Sequence, residues 1–154
     1  MTTQPHPEMP VEVLGDEECL RLLADAVIGR VAFQAHGVQE VLPVNFAAAI
    51  DGTVVFRTAE HTSLAEVGGR PAAFEVDGFD TVTHTGWSVC VRGIGREITA
   101  GDDLTAQRLL EMTVIPWASG RRDLWFAITP DHVTGRRIPL VRAADFGWIP
   151  GVVS

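Results

Sequence analysis

The run Thr85-Gly86-Trp87-Ser88-Val89-Cys90-Val91-Arg92-Gly93-Ile94-Gly95-Arg96-Glu97 limits the possible architecture more than any other part of this chain. It reads as one long strand, and Gly93 and Gly95 permit the bend or bulge that closing a small barrel requires. Two shorter strand-like runs lie upstream, Val41 to Phe46 and Val54 to Thr58. The Asp51-Gly52 pair between them is a strong hairpin signal. Together these segments predict the core of a small β-barrel that presents polar groups to a ligand.

The remaining elements fit around that core. A helix is expected from Gly15 or Asp16, with acidic residues in its first turn as the macrodipole favours. Cys19, Leu22, Leu23, Ala26 and Val27 form its buried stripe, and Gly29 ends it. Arg30 to Gln34 reads as a strand closed by His36-Gly37, and Ala72 to Val76 as another. Asp77-Gly78 and the polar stretch from Asp80 to His84 read as a connection. Residues 102–113 suggest a second helix with Leu104 on its buried side, broken at Ile115-Pro116-Trp117-Ala118. Leu124 to Thr129 and Val133 to Ile138 suggest two more strands. The sum is an α+β, mainly β domain: a six- to seven-stranded antiparallel barrel with short flanking helices. Residues 1–12 read as a loose arm, 13–141 as the domain and 142–154 as a tail.

Composition removes several chemistries. The chain of 154 residues contains no lysine, so a lysine Schiff base and a Walker-type phosphate loop are both impossible. It also lacks tyrosine, which removes phenolic acid–base roles. Anion recognition falls to Arg, backbone N–H groups and hydroxyls. A formal net charge of −8 argues against nucleic acid or an anionic membrane as partner. No apolar run is long enough to span a bilayer, and the polar, Pro-rich start has no signal core, so a cytoplasmic location is expected. Cys19 and Cys90 read as small buried hydrophobes, and the five scattered histidines lack metal-ligand spacing.

One local arrangement points to a ligand. The strand ending at Arg57-Thr58-Ala59 passes through Glu60-His61-Thr62-Ser63 into a short helix at Leu64 to Val67. A strand leading through hydroxyls into a helix N-terminus, with an Arg beside it, suits an anion. The same residues also fit an ordinary N-cap next to a surface Arg. Trp87 likewise fits a core aromatic, and Arg92 a solvated strand residue. Trp117, Trp125 and Trp148 read as core or interface packing, with a place in the pocket open to one of them.

In order and spacing, four motifs resemble the pyridoxamine 5′-phosphate oxidase-like, FMN-binding split-barrel family. They are Val31-Ala32-Phe33, Leu42 to Phe46, Val55 to Ala59, and Gly86 to Val89 leading to Arg92-Gly93. The resemblance covers roughly residues 14–140 and implies a homodimer with two flavin sites at its interface. It implies that Val44, Asn45 and Phe46 face the isoalloxazine, and that Arg57, Thr58, His61, Thr62 and Ser63 hold the phosphate. Trp87 and Ser88 would approach from the partner subunit. Such a site is chemically sensible, because charge-assisted bonds from Arg suit phosphate and an apolar strand suits the ring.

The chain departs from that family at Ser63, where many relatives carry a lysine or arginine that pairs with the phosphate. Its tail, Arg142 to Ser154, also shows no match to the Arg and His residues with which pyridoxamine phosphate oxidases hold substrate, so vitamin B6 oxidation is not expected. The resemblance implies an FMN-dependent oxidoreductase acting on a small molecule. Alternatives of the same fold are a reductase using the deazaflavin F420, whose acidic tail Arg70, Arg121 and Arg122 could meet, and a non-catalytic flavin carrier.

Overall fold

The computed structural model describes residues 11–115 and 120–139. The chain order is β1 (Glu12–Val13), α1 (Asp16–Asp25), β2 (Ile28–Ala35), β3 (Val38–Ala48), β4 (Val54–Thr58), a 3₁₀ turn (Ser63–Val67), β5 (Pro71–Asp80), β6 (Thr85–Ile98), α2 (Leu104–Leu110) and β7 (Leu124–Pro139). The seven strands form one antiparallel sheet in the order β1-β7-β4-β3-β2-β5-β6, and pairing of β6 with β7 closes it into a ring. This is the mainly β, barrel-like architecture that the sequence implied.

Turn chemistry fixes much of the register. His36 and Gly37 both have positive φ, 50° and 77°, between the paired residues Ala35 and Val38. Two positive φ values in a two-residue loop match the right-handed twist of the flanking strands. Asp51-Gly52 does turn the chain between β3 and β4. There the Asp51 carboxylate accepts from the Thr53 amide at 2.9 Å, and Gly52 takes φ 85°.

Alternation then fills the ring. Val31, Phe33, Phe46, Val54, Phe56, Phe74, Val76, Val89, Val91, Phe126 and Ile128 point inward and are buried in one cluster. Leu14, Cys19, Leu22 and Leu23 from the α1 region join the same cluster. A second, smaller cluster lies outside the ring, where Ala106, Leu109 and Val114 cover Val55, Ile98 and Ala127.

Four expectations are corrected. Helix α1 stops at Asp25, and Val27 is exposed, because Gly29 belongs to β2 instead of ending the helix. The Phe74 ring occupies the space a side chain at Gly29 would need, so the glycine serves packing. Asp77-Gly78 continues β5, and Gly78 leaves room for the Trp87 indole lying across it. Leu104 opens α2 exposed, since the stripe that packs inward is Ala106 and Leu109. The two C-terminal strands are one. Pro130 faces Gly93 and His132 faces Arg92, leaving Asp131 as the extra residue of a bulge that bends β7 without interrupting it. The register shift falls opposite Gly93, one of the two glycines expected to permit a bend or bulge in β6, but the extra residue belongs to β7, with the Thr129 carbonyl against the glycine. The expected arm (apart from residues 11 and 12), the tail, Trp117 and Trp148 lie outside the described residues.

Candidate functional site

Strand β4 sends alternate side chains to opposite sides of the ring. Val54, Phe56 and Thr58 are buried, while Val55 and Arg57 face out toward the α2 side. Beyond Thr58 the chain reverses through His61, whose φ of 61° is left-handed and whose side chain is almost wholly exposed. This brings Thr62 back over Thr58, and their hydroxyls lie 2.8 Å apart. Thr62 gives its proton to the Ala59 carbonyl at 2.9 Å, so Thr58 is the donor between them. Ser63 then opens a single 3₁₀ turn, held down by the buried Leu64 and Val67. A turn this short has little dipole, so the hydroxyls and Arg57 supply most of the polarity here. The turn is also pinned at its far end. The Gly69 amide donates to the Gly95 carbonyl at 2.7 Å, and the Gly95 amide to the Arg70 carbonyl at 2.9 Å.

Arg57 is held on two sides. Its Nε donates to the Arg122 carbonyl at 3.0 Å, and its guanidinium carbon lies 4.9 Å from the centre of the Trp125 ring. Trp125 is the residue paired with Arg57 across the β4–β7 ladder. The sequence reading placed Trp125 in packing, with a pocket place open to one of three tryptophans, and gave Arg122 no part in this contact, because a contact across strands 68 residues apart leaves no local pattern.

Phe46 pairs with Phe56, so the Val44–Phe46 segment of β3 lies at the same end of the ladder as Arg57 and Thr58. Val44 and Phe46 point inward, with Phe46 edge-on to Phe74 at 4.6 Å between ring centres. Only the backbone of Val44 is therefore open to a ligand outside the ring. Asn45 faces outward and its amide donates a long bond, 3.4 Å, to the Val27 carbonyl. Asn45 and Phe46 line a cleft of about 340 Å³ with Val27, Thr113 and Ile115.

Trp87 and Ser88 stand apart from these groups. They pair with Arg137 and Arg136, so Trp87 lies twelve residues along β7 (137 − 125) from the partner of Arg57. That is a contour of roughly 40 Å. One protomer does not unite them with the Arg57 cluster.

A larger cleft of about 610 Å³ opens on the outer face of β2, β5 and β6, over Ala32 and Ala73, and is flanked by Arg70, Arg92, Asp131 and His132. It contains none of the ten residues that the resemblance assigns to FMN, but it does contain Arg70, named for the F420 tail. Burial pushes both thiols up, that of Cys19 further aided by Asp16 and Glu18, so neither is poised as a nucleophile. Among the described residues no group of three or more His, Cys, Asp or Glu side chains could hold a metal ion.

Residues 15–137 match the family described as pyridoxamine 5′-phosphate oxidase. The chain belongs to that family. The chain is also similar to an uncharacterised protein of Mycobacterium tuberculosis, 34% identical over 141 residues, covering 87% of this chain and 90% of that one. Among solved structures, the FAD binding protein from Mycobacterium smegmatis is 31% identical, with a TM-score of 0.68 over 83% of this chain and 99% of its own. An FAD-binding protein from Mesorhizobium loti is 21% identical, with a TM-score of 0.65 over 84% and 97% of the two chains, and shares the family's fold.

Proposed function

We propose that this chain binds a flavin, FMN in the first reading, and uses it as an oxidoreductase on a small molecule. The observation that carries the proposal is a braced Arg57 on the strand that leads into the turn held by the Thr58–Thr62 hydroxyl bond. Arg57 keeps its Nη protons and a fixed positive charge, with no carboxylate bonded to it among the described residues, which suits a phosphate, while the Thr58 and Thr62 protons are spent on holding the turn. The adjoining cleft over Asn45, Phe46, Val27 and Ile115 supplies an apolar wall for an isoalloxazine ring. A bound flavin supplies the hydride or electron transfer, and the protein positions it and excludes water.

In this reading Arg57 and Ser63 hold the phosphate, Thr58 and Thr62 fix the turn that presents Ser63, and the His61 backbone sets its direction. Val44 acts through its backbone, and Asn45 and Phe46 border the ring. Trp87 and Ser88, apart from Arg57 in one protomer, are assigned to the site of a second copy. The protein then works as a homodimer with two sites. The outer face of β3, β2, β5 and β6 is the surface open to that contact, since Val41 and Ile94 stay exposed there. Ser63 in place of a cation makes phosphate affinity depend on Arg57 more heavily than in relatives with two positive charges.

A longer cofactor is the second reading, FAD as in the Mycobacterium smegmatis relative or F420 with its acidic tail. Beyond the 3₁₀ turn the chain reaches Arg70, which with Arg92 flanks the larger cleft. Groups beyond the first phosphate would find cations in that direction.

Purified protein should retain a flavin spectrum after desalting, bleached by dithionite and restored by air. Arg57→Gln should weaken FMN at least about tenfold, the size of one lost charged hydrogen bond. Titration with FMN, FAD and F420 ranks the readings. Protein that takes up none of the three defeats the proposal.

A further inference from the structure

We propose that Trp125 is a positioning residue for the cofactor phosphate, acting through Arg57 together with the Arg122 carbonyl. This rests on the assignment of Arg57 to the phosphate. A guanidinium on a free side chain must be ordered before it can bind, and that ordering weakens whatever contact it makes. Here the ordering is already built in. The indole lies against the guanidinium at 4.9 Å, and the Arg122 carbonyl takes the Nε proton at 3.0 Å. The Nε edge is thereby used, which leaves the four protons on Nη1 and Nη2 for the phosphate. The anion must therefore approach end-on and not across the Nε side.

Trp125 is well placed to do this because it cannot easily move. It pairs with Arg57 on β4 and with Ile98 on β6, so both edges of its strand are engaged. It also packs against the outer cluster that α2 covers with Ala106 and Leu109. A chain of contacts thus runs from α2 through the indole to the guanidinium. With Ser63 where a second cation would otherwise stand, the orientation of this single Arg carries more of the selectivity for a phosphorylated flavin.

The test is a double-mutant cycle read with FMN and riboflavin, which differ only in the phosphate. Kd values are measured by flavin fluorescence on the full-length protein, for wild type, Arg57→Gln, Trp125→Leu, Trp125→Phe and Arg57→Gln/Trp125→Leu. Trp125→Leu should weaken FMN about five- to tenfold and leave riboflavin unchanged, with Trp125→Phe in between because its ring retains a weaker cation–π contact. In the Arg57→Gln background Trp125→Leu should change nothing further. Equal losses for FMN and riboflavin, or the same loss in both backgrounds, would reduce Trp125 to packing and overturn the inference while Arg57 keeps its role. If Arg57→Gln itself leaves FMN affinity intact, the phosphate assignment falls and this inference with it. Should Trp125→Leu not fold, Trp125→Phe read in both backgrounds decides the matter alone.

Discussion

The ring has two outer faces, and they are finished differently. Over β4 and the adjoining parts of β6 and β7, α2 and Val114 bury Val55, Ile98 and Ala127 almost completely. Over β3, β2, β5 and β6, Ala32 and Ala73 are half-buried, Val41 is 61% exposed, and none of the three joins a buried cluster among the described residues. Across that open face the Arg30 guanidinium bridges Glu75 at 2.8 Å and Asp77 at 2.5 Å. Those carboxylates hold the Arg30 proton more firmly than usual, but at half exposure the pairs add little stability. Strand alternation makes both faces, so alternation does not distinguish them. The covering layer does, and it lies on the side that carries Arg57 and Trp125.

The largest expected effect tests that covering directly. Leu109→Ala removes a buried side chain from between α2 and the ring and should cost about 2–4 kcal/mol. Val41→Ala, on the open face, should stay within about 0.5 kcal/mol in the monomer. Urea unfolding of the two variants under dissociating conditions makes the comparison. Equal losses would mean that α2 adds no real layer and that the two faces do not differ.

A smaller effect sharpens what the open face is for. Ala73 pairs with Ala32 on one side and Arg92 on the other, near the middle of the face. Ala73→Glu should leave the monomer folded, since the side chain points outward, yet place an unpaired charge in any contact between copies. The proposed dimer should weaken at least about tenfold in sedimentation equilibrium, a shift of about 1.4 kcal/mol. A dimer that survives unchanged uses another surface.

The covered and open faces were not equally legible in the sequence. Features set by neighbouring residues read well. His36-Gly37 and Asp51-Gly52 turn where their backbone preferences demand, β4 keeps its expected span, and Gly93 marks the bulge. Features set by distant partners read badly. Gly29 looked like a helix end because nothing nearby shows that the Phe74 ring will lie on it. Pro130-Asp131 looked like a break because a bulge is visible only with β6 alongside. The candidate site divides in the same way. Thr58 and Thr62 meet through a four-residue turn and could be placed from local pattern, whereas the Arg57–Trp125 contact exists only once β4 and β7 are in register.

The smallest effect concerns the hairpin that ends the open face. Asp80 closes β5, and its carboxylate accepts from the Val82 amide at 2.8 Å and the Thr83 amide at 3.2 Å. Those two bonds hold its pKa below the ordinary 3.8, with a weaker contribution from Arg137. A folded value below the unfolded one means that the carboxylate stabilises the native state fully above the unfolded pKa. That contribution fades as the pH falls through the folded value. Melting temperatures taken from pH 6 to pH 2.5 should therefore show a slightly shallower acid limb for Asp80→Asn than for wild type, with the gap closing at the lowest pH. Since Asp80 is fully exposed, the difference should be far smaller than that of Leu109→Ala. A large one would show that the open face depends on its rim as much as the covered face depends on α2.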